Sequence, residues 1–331
     1  MKIFESENYI NNPLVSIIIP SYNRIDTVSE TLDSILNQKC EFDFEIVIGD
    51  DCSDDNVREL LLKYKDDNPT IIKLIFHDNN IGLGANWATC VKYCKGKYIC
   101  NCDNDDYWHN HQKLQIQVDF MESNPEKNVV FTDHRCHNRK TGAIVEDKAF
   151  FDRSIPLQQA FFTGKTILCN ATVMYRKSII EKYIILDDYI NYNFLLQDWN
   201  TWVILSAYTD FDIIPISTAT FGVESISITR PKTVKNLIER FKKEKEDYKY
   251  ICNLFPGKLT FDEIAYDNYV NERLLNSAYI NFDFRSGKKF ATLISNESKN
   301  TRKVKFALNP LYFFTFATFK RLYEIFHPED I

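Results

Sequence analysis

The chain has 331 residues, of which 44% are hydrophobic and 26% charged, and its formal net charge is −6. A chain of this length and composition buries a large core. The basic residues after residue 230 are too dispersed for nucleic-acid binding, and no apolar run in the chain reaches the roughly 18 residues of a membrane span. The polar start carries no secretory signal and the nine cysteines are an odd number, so we expect reduced thiols and a cytoplasmic location.

Short apolar runs alternate with helical patterns over the first 131 residues. The runs are rich in β-branched residues, and the segments between them repeat apolar residues at helical spacing. Strands are predicted at 14–19, 44–49, 71–76, 96–102 and 129–131, and helices at 25–37, from 54, at 84–94 and from 114. Strands alternating with helices form βαβ units, so the predicted fold class is α/β with a mostly parallel sheet flanked by helices.

Polar residues follow four of these strands. They are Ser21–Arg24, Asp50–Asp51, Asp78–Asn80 and Asp103–Asp106. The carboxyl ends of parallel strands border one crevice, where ligands bind in open α/β sheets. A strand leaving the core explains polar residues, but it does not explain so many carboxylates on one rim.

The run from Asp103 to Asp106 has the spacing D-x-D-D and directly follows an apolar strand. Clustered carboxylates at a strand end are a hard-oxygen site for Mn²⁺ or Mg²⁺, and such an ion usually serves a phosphorylated substrate. A solvated acidic loop is the alternative.

The segment from Gly82 to Trp87 begins like the dinucleotide fingerprint G-x-G-x-x-G, but Trp87 replaces its third glycine. No phosphate-binding G-x-x-x-x-G-K-[ST] segment is present either. Both nicotinamide and P-loop enzymes are therefore disfavoured, and the glycines indicate a tight turn before a helix.

Four cysteines have a spacing that resembles a zinc site: Cys90, Cys94, Cys100 and Cys102. The first two share one helix face and the last two one strand face. We therefore expect these side chains to pack in the core.

Five segments occur in order between about residues 14 and 230: VSIIIPSYNR, FEIVIGDDCSDD, DNNIGLGAN, GKYICNCDNDDYW and QDWNTW. With them the chain resembles the family 2 glycosyltransferases of bacterial surface-polysaccharide synthesis, which have the GT-A, Rossmann-like fold. The resemblance implies an inverting, metal-dependent transfer of a sugar from a nucleotide-diphosphate donor, a UDP-sugar by expectation, to a glycan or lipid-linked acceptor.

The resemblance also implies roles for particular residues. Nucleotide binding falls to Pro20, Tyr22, Arg24, Asp51, Asn80, Asn86, Asp103 and Asn104. Mn²⁺ or Mg²⁺ would be held by Asp105 and Asp103, and Asp198 matches the general base. Capping of the helix that follows is the alternative role for Asp198.

One segment departs from the family pattern. Many relatives carry Y-R-x-H followed by S-x-S, whereas Phe221–Ser227 keeps only the serines, and Glu224 is the candidate third metal ligand. This departure leaves open a catalytically weak nucleotide-binding relative. A nucleotidyltransferase is a further alternative, although the glycine- and basic-rich loop expected after its first strand is missing.

We expect residues 1–230 to form the GT-A domain, with a nucleotide half at about 14–106 and an acceptor half at about 107–230. Residues 231–331 carry an excess of basic residues and are predicted to be mainly helical, with helices at 233–254, 261–280 and 305–326. The last segment combines many aromatics with a few cations. Two interpretations stay open for it: peripheral contact with the inner face of a membrane, and packing on the catalytic domain.

Overall fold

The computed structural model describes residues 1–192, 194–223, 233–294 and 302–326, without the side chains of residue 302 and residues 321–326. The chain divides into two units. The first comprises residues 1–158 and 166–223, and the second comprises residues 159–165 and the described residues after 223.

The first unit is built on a mixed sheet. The strands of this unit are β1 (Lys2–Phe4), β2 (Val15–Ser21), β3 (Phe44–Asp50), β4 (Ile72–Phe76), β5 (Tyr98–Asn101), β6 (Val129–Asn138), β7 (Ile144–Asp147), β8 (Phe150–Phe151), β9 (Thr166–Ile167), β10 (Met174–Arg176) and β11 (Phe211–Val223). Strands β8 and β9 pair with each other and are separate from the mixed sheet. The sheet order is β1-β4-β3-β2-β5-β10-β6-β11, and β7 pairs with β6. Neighbours β4, β3, β2 and β5 are parallel, as are β6 and β11, whereas β1, β7 and β10 run antiparallel to their partners.

Helices flank this sheet. They are α1 (Val28–Leu36), α2 (Val57–Asp67), α3 (Leu83–Tyr93), α4 (Lys113–Ser123), α6 (Lys177–Tyr183), α7 (Leu186–Asn191) and α8 (Gln197–Leu205). Helix α5 (Leu157–Phe162) has residues in both units. Helix α1 shows why they form, because Val28, Leu32 and Ile35 fall on one face and are fully buried against the sheet. Burying such a side chain contributes about 1.5–3 kcal/mol.

The predicted strands and the mostly parallel sheet are confirmed. All four cysteines expected in the core are buried, and two of them, Cys100 and Cys102, belong to the main apolar cluster. The sequence did not indicate β10, which inserts antiparallel between β5 and β6, because three residues are too short to show a period. It also missed β11, whose pattern is interrupted by shifts of register around Pro215.

The second unit is helical among its described residues. Its helices are α9 (Val234–Leu254), α10 (Glu263–Ile280), α11 (Phe284–Leu293), α12 (Arg302–Ala307) and α13 (Pro310–Phe326). Side-chain caps define three starts: Thr233, Asp262 and Asp283 each accept a hydrogen bond from the backbone N–H three residues later. The first two predicted helices are confirmed. The third is divided in two, with Pro310 at the first position of α13.

Helix α13 has one packed face and one exposed face. Phe313 is buried and stacks on Tyr279 with ring centroids 4.5 Å apart, and a side chain at Gly287 would collide with the Phe313 ring. On the other face, Leu311 is 73% exposed and Phe319 66% exposed. Within the described part of the chain, no helix is long and apolar enough to cross a membrane.

Candidate active site

The carboxylates at the end of β3 are compensated by neighbouring donors. Buried Asp50 accepts hydrogen bonds from the Ser53 hydroxyl at 2.5 Å and from the Arg58 guanidinium. Buried Asp51 accepts from the backbone N–H groups of Ile81 at 2.6 Å and Gly82 at 2.9 Å. Gly82 has φ of 88° and immediately precedes α3, so the tight turn predicted from the glycines is present.

The carboxylates at the end of β5 are less well compensated. Asp106 is buried, and one of its oxygens accepts from the backbone N–H of Gly222 at 2.9 Å. Burial, followed by the charges of Asp105 and Asp103, raises the pKa of Asp106 well above its usual range. This carboxyl group therefore favours its protonated form, and a second negative charge beside it is costly.

Three further acidic side chains interact electrostatically at this strand end, since Asp103 and Asp105 act on Asp106, and Asp198 acts on Asp103. Burial and then the charges of Asp105 and Asp198 raise the pKa of Asp103 to about 7. The amide of Asn170 lies 3.3 Å from both Asp103 oxygens and partly offsets this rise. We call Asp103, Asp105 and Asp198 the acidic cluster. The fold thus joins two distant parts of the sequence, the end of β5 and the start of α8.

Asp198 lies in the first turn of α8, which begins at Gln197. Its carboxylate accepts a hydrogen bond from the Trp199 backbone N–H at 2.7 Å, so it satisfies one of the helix's unpaired donors. Hydrogen bonding and the helix dipole favour the charged carboxylate, but burial outweighs hydrogen bonding and raises the pKa of Asp198. The contact suits a supporting role, and the raised pKa suits proton transfer.

Arg24 reaches the acidic cluster from the end of β2. Its guanidinium lies 3.4 Å from an Asp105 oxygen, and its side chain is partly exposed. Tyr22 and Asn80, which follow β2 and β4, are also exposed. Pro20 is buried within β2. The exposed residues of the predicted nucleotide site therefore include one positively charged side chain, Arg24, which lies next to the carboxylates.

Two predicted nucleotide-binding amides hold the strand ends together. Asn86 donates to the Gly49 carbonyl at 2.6 Å, and its amide oxygen lies 3.1 Å from His77 Nε2. Asn104 donates to the Ser21 hydroxyl at 3.0 Å. Both side chains are buried. These contacts position the rim of the crevice, and contact of either amide with a nucleotide stays a prediction.

Two residues that contact the backbone of Asp105 were not predicted from the sequence. Arg139 donates to the Asp105 carbonyl at 2.7 Å and pairs with Glu30 at 2.8 Å. A side chain at Gly222 would collide with the same carbonyl. Each is far from Asp105 in sequence, so no local pattern indicates the contact. Glu224, predicted as a third metal ligand, lies outside the described residues.

The donor set fits a hard divalent cation. Asp103 and Asp105 offer carboxylate oxygens, the ligands that Mg²⁺ and Mn²⁺ favour. Burial, followed by the charges of Asp105 and Asp198, raises the pKa of Asp103 despite the opposing effects of Asn170 and Arg24. A cation there would relieve the repulsion between these groups.

The arrangement of the first unit, a mostly parallel sheet with acidic residues at its strand ends, is that of the GT-A glycosyltransferases. The fold matches S. aureus TarS 1–349, solved in complex with UDP-GlcNAc, with a TM-score of 0.55 and 18% identity over 96% of this chain and 90% of that one. The model of glycosyl transferase family 2 matches residues 16–184, just over half of the sequence. The chain belongs to glycosyl transferase family 2.

Two curated relatives match over shorter segments. The putative teichuronic acid biosynthesis glycosyltransferase TuaG of Bacillus subtilis is 35% identical over 109 residues, 33% of this chain and 42% of its own length. The UDP-Glc:α-D-GlcNAc-diphosphoundecaprenol β-1,3-glucosyltransferase WfgD of Escherichia coli is 37% identical over 111 residues, 34% of this chain and 42% of its own. The chain thus spans less than half the length of these relatives.

Proposed function

We propose that this protein is an inverting, metal-dependent glycosyltransferase. It moves a sugar from a nucleotide-diphosphate donor, a UDP-sugar, to a hydroxyl group of a glycan or lipid-linked acceptor. The observation that carries the proposal is the acidic cluster, in which Asp198, the candidate base, acts electrostatically on Asp103, a candidate cation ligand together with Asp105. The UDP-Glc donor and diphosphoundecaprenol acceptor in the name of WfgD support this choice of substrates, as does the teichuronic acid role in the name of TuaG.

The donor side of the reaction is assigned to the ends of β2, β4 and β5. Tyr22, Arg24 and Asn80 are accessible there, and Asp103 and Asp105 would hold Mn²⁺ or Mg²⁺. When bound, such a cation neutralises charge on the leaving diphosphate. The Arg24 guanidinium, already beside Asp105, adds a second positive charge on the same side of the donor.

The acceptor side is assigned to Asp198. The acceptor oxygen forms a bond to the anomeric carbon, the bond from that carbon to the diphosphate oxygen breaks, and the hydroxyl proton passes to the Asp198 carboxylate. A raised pKa strengthens this base, because catalytic groups work best with pKa values near the operating pH. One such displacement inverts the anomeric configuration, so a single carboxylate suffices.

A panel of sugar nucleotides, incubated with the purified protein and either Mn²⁺ or a chelator, tests the proposal. Metal-dependent release of UDP or GDP supports it. Release of pyrophosphate would instead indicate a nucleotidyltransferase, and nucleotide binding without turnover would indicate the weak relative. The Asp198→Asn variant is the matched control, since it keeps the donor site and lacks the base.

We further propose that α13 rests on the inner face of a membrane. Its exposed face carries Leu311 and Phe319, and its opposite face packs on Tyr279. Removing the whole segment would expose Tyr279, so point substitutions on the exposed face are a more specific test of membrane contact. Leu311→Ser with Phe319→Ser should reduce co-sedimentation with anionic vesicles and leave the melting temperature unchanged. An intact protein that ignores such vesicles at low salt would contradict the idea.

A further inference from the structure

The hairpin formed by β6 and β7 carries a second group of metal-ligating side chains. His134 and Cys136 are two residues apart on β6, so they project from the same face of the sheet. Asp147 on β7 is the register partner of His134. One ligand atom from each of the three residues lies within 4.8 Å of the other two. Neither Asp103 nor Asp105 belongs to this group.

The His134 ring is buried without the partners that such a ring normally has. Its Nδ1 is buried and has no hydrogen-bond partner among the described residues. Its Nε2 lies 3.7 Å from an Asp147 oxygen, which is too long for a hydrogen bond. Most buried polar groups in folded proteins are paired, so this ring needs an explanation.

We propose that His134, Cys136 and Asp147 bind one borderline transition-metal ion of the Zn²⁺ class. Imidazole nitrogen, thiolate sulfur and carboxylate oxygen are the three ligand types that Zn²⁺ accepts, and three protein ligands leave a fourth position for water. The sulfur and nitrogen donors distinguish this site from the acidic cluster, whose oxygen donors suit Mg²⁺ and Mn²⁺.

The position of the hairpin gives such an ion a structural consequence. Arg139, which donates to the Asp105 carbonyl, lies in the connection between β6 and β7. An ion bound by both strands would fix this connection from one end. It would therefore help to position Asp105 without contacting substrate.

Cobalt(II) titration of the metal-free protein tests the site, because a cobalt–thiolate bond gives near-ultraviolet charge-transfer absorption. We expect one such bond per chain in the wild type, none in Cys136→Ser, and an unchanged signal in the control Cys252→Ser. The Asp105→Ala variant should keep the signal, since that residue belongs to the acidic cluster. Absence of the absorption in the wild type, or its persistence in Cys136→Ser, would overturn the proposal.

A second variant covers the case in which Cys136→Ser does not fold. The Asp147 side chain is 41% exposed, so Asp147→Asn should not disturb folding. Its affinity for Co²⁺ should fall by at least about tenfold, as expected when support for a metal site is lost. His111→Ala, an exposed histidine elsewhere in the first unit, is its matched control. Equal affinity in Asp147→Asn and the wild type would exclude the carboxylate as a ligand and contradict the site as proposed.

Discussion

The ends of β3 and β5 carry similar acidic sequences but differ in electrostatic surroundings. At β3, the carboxylate of Asp50 is paired with Arg58 and Ser53, and that of Asp51 with two backbone N–H groups. At β5, burial and mutual repulsion raise the pKa values of Asp103 and Asp106. The acids at β3 have hydrogen-bond partners within the chain, whereas one oxygen of Asp106 at β5 has none among the described residues.

We infer that this difference separates acids whose charge the chain itself balances from acids that require a cation, and nucleotide binding by Asp51 stays a prediction. A carboxylate that the chain itself neutralises stabilises the fold and needs no ligand. Carboxylates gathered with too few donors cost stability, and the cost is offset when a cation binds. Substitutions at the two ends should therefore have opposite consequences: loss of stability at β3 and loss of activity at β5.

The largest effect is expected for the acid that lies outside both strand ends. Asp198→Asn should lower kcat by about 10²–10⁴-fold, the usual contribution of a general base. The asparagine oxygen still accepts from the Trp199 N–H, so the melting temperature and the affinity for the nucleotide should change little. Steady-state kinetics and a thermal melt measure both quantities. Turnover at the wild-type level would reassign Asp198 to support of α8.

Asp105→Ala should lower kcat/KM by at least about 100-fold, the upper end of what loss of a group supporting a metal costs. It should not reduce stability, because Asp105 contributes to the repulsion that raises the pKa values of Asp103 and Asp106. Kinetics at saturating Mn²⁺ and a melt of the metal-free protein provide the two readouts. Asp26→Ala, at an exposed position, serves as the control. Full activity of Asp105→Ala in chelator would refute the metal assignment.

The paired end should respond in the opposite way. Asp50→Asn weakens the contact with Arg58 in a buried position and should lower the free energy of unfolding by about 1–3 kcal/mol. Denaturant unfolding measures this change. The neighbouring exposed Asp54→Asn should stay within about 0.5 kcal/mol of the wild type. If Asp50→Asn is as stable as the wild type, the pairing at β3 does not stabilise the fold, and the proposed difference between the two strand ends is wrong.

Local patterns in the sequence predicted the strands that carry the site better than the contacts that support its residues. The strands and the polar ends that follow them depend on periodicity, so they could be read directly from the chain. The supports of the acidic cluster come from elsewhere: Asn170 from the turn before β10, Arg139 from the β6–β7 connection and Gly222 from β11. Such contacts depend on strand order, which periodicity does not encode.

The compensation at β3 could not be predicted for the same reason. The run Asp50–Asp51 and the run Asp103–Asp106 look alike as sequences. Only the fold shows that Arg58 and the backbone before α3 reach the first run. The acidic pattern therefore predicted several candidate carboxylates on one rim, and the surrounding donors distinguish those that are already neutralised.

The smallest effect concerns the pH dependence of stability in the metal-free protein. The pKa of Asp103 is about 7 in the folded state and about 3.9 in an unfolded chain. Between these values the folded state holds the extra proton, so the contribution of Asp103 to stability falls as the pH rises from about 4 to 7. Asp103→Asn has no proton to lose, and its melting temperature should fall less over this range. Thermal melts of both proteins in chelator measure the difference, and the titration of other groups largely cancels in it.

Mn²⁺ added at pH 7 should then raise the melting temperature of the wild type more than that of the variant. Parallel curves for the two proteins would show that repulsion at the β5 end does not destabilise the fold.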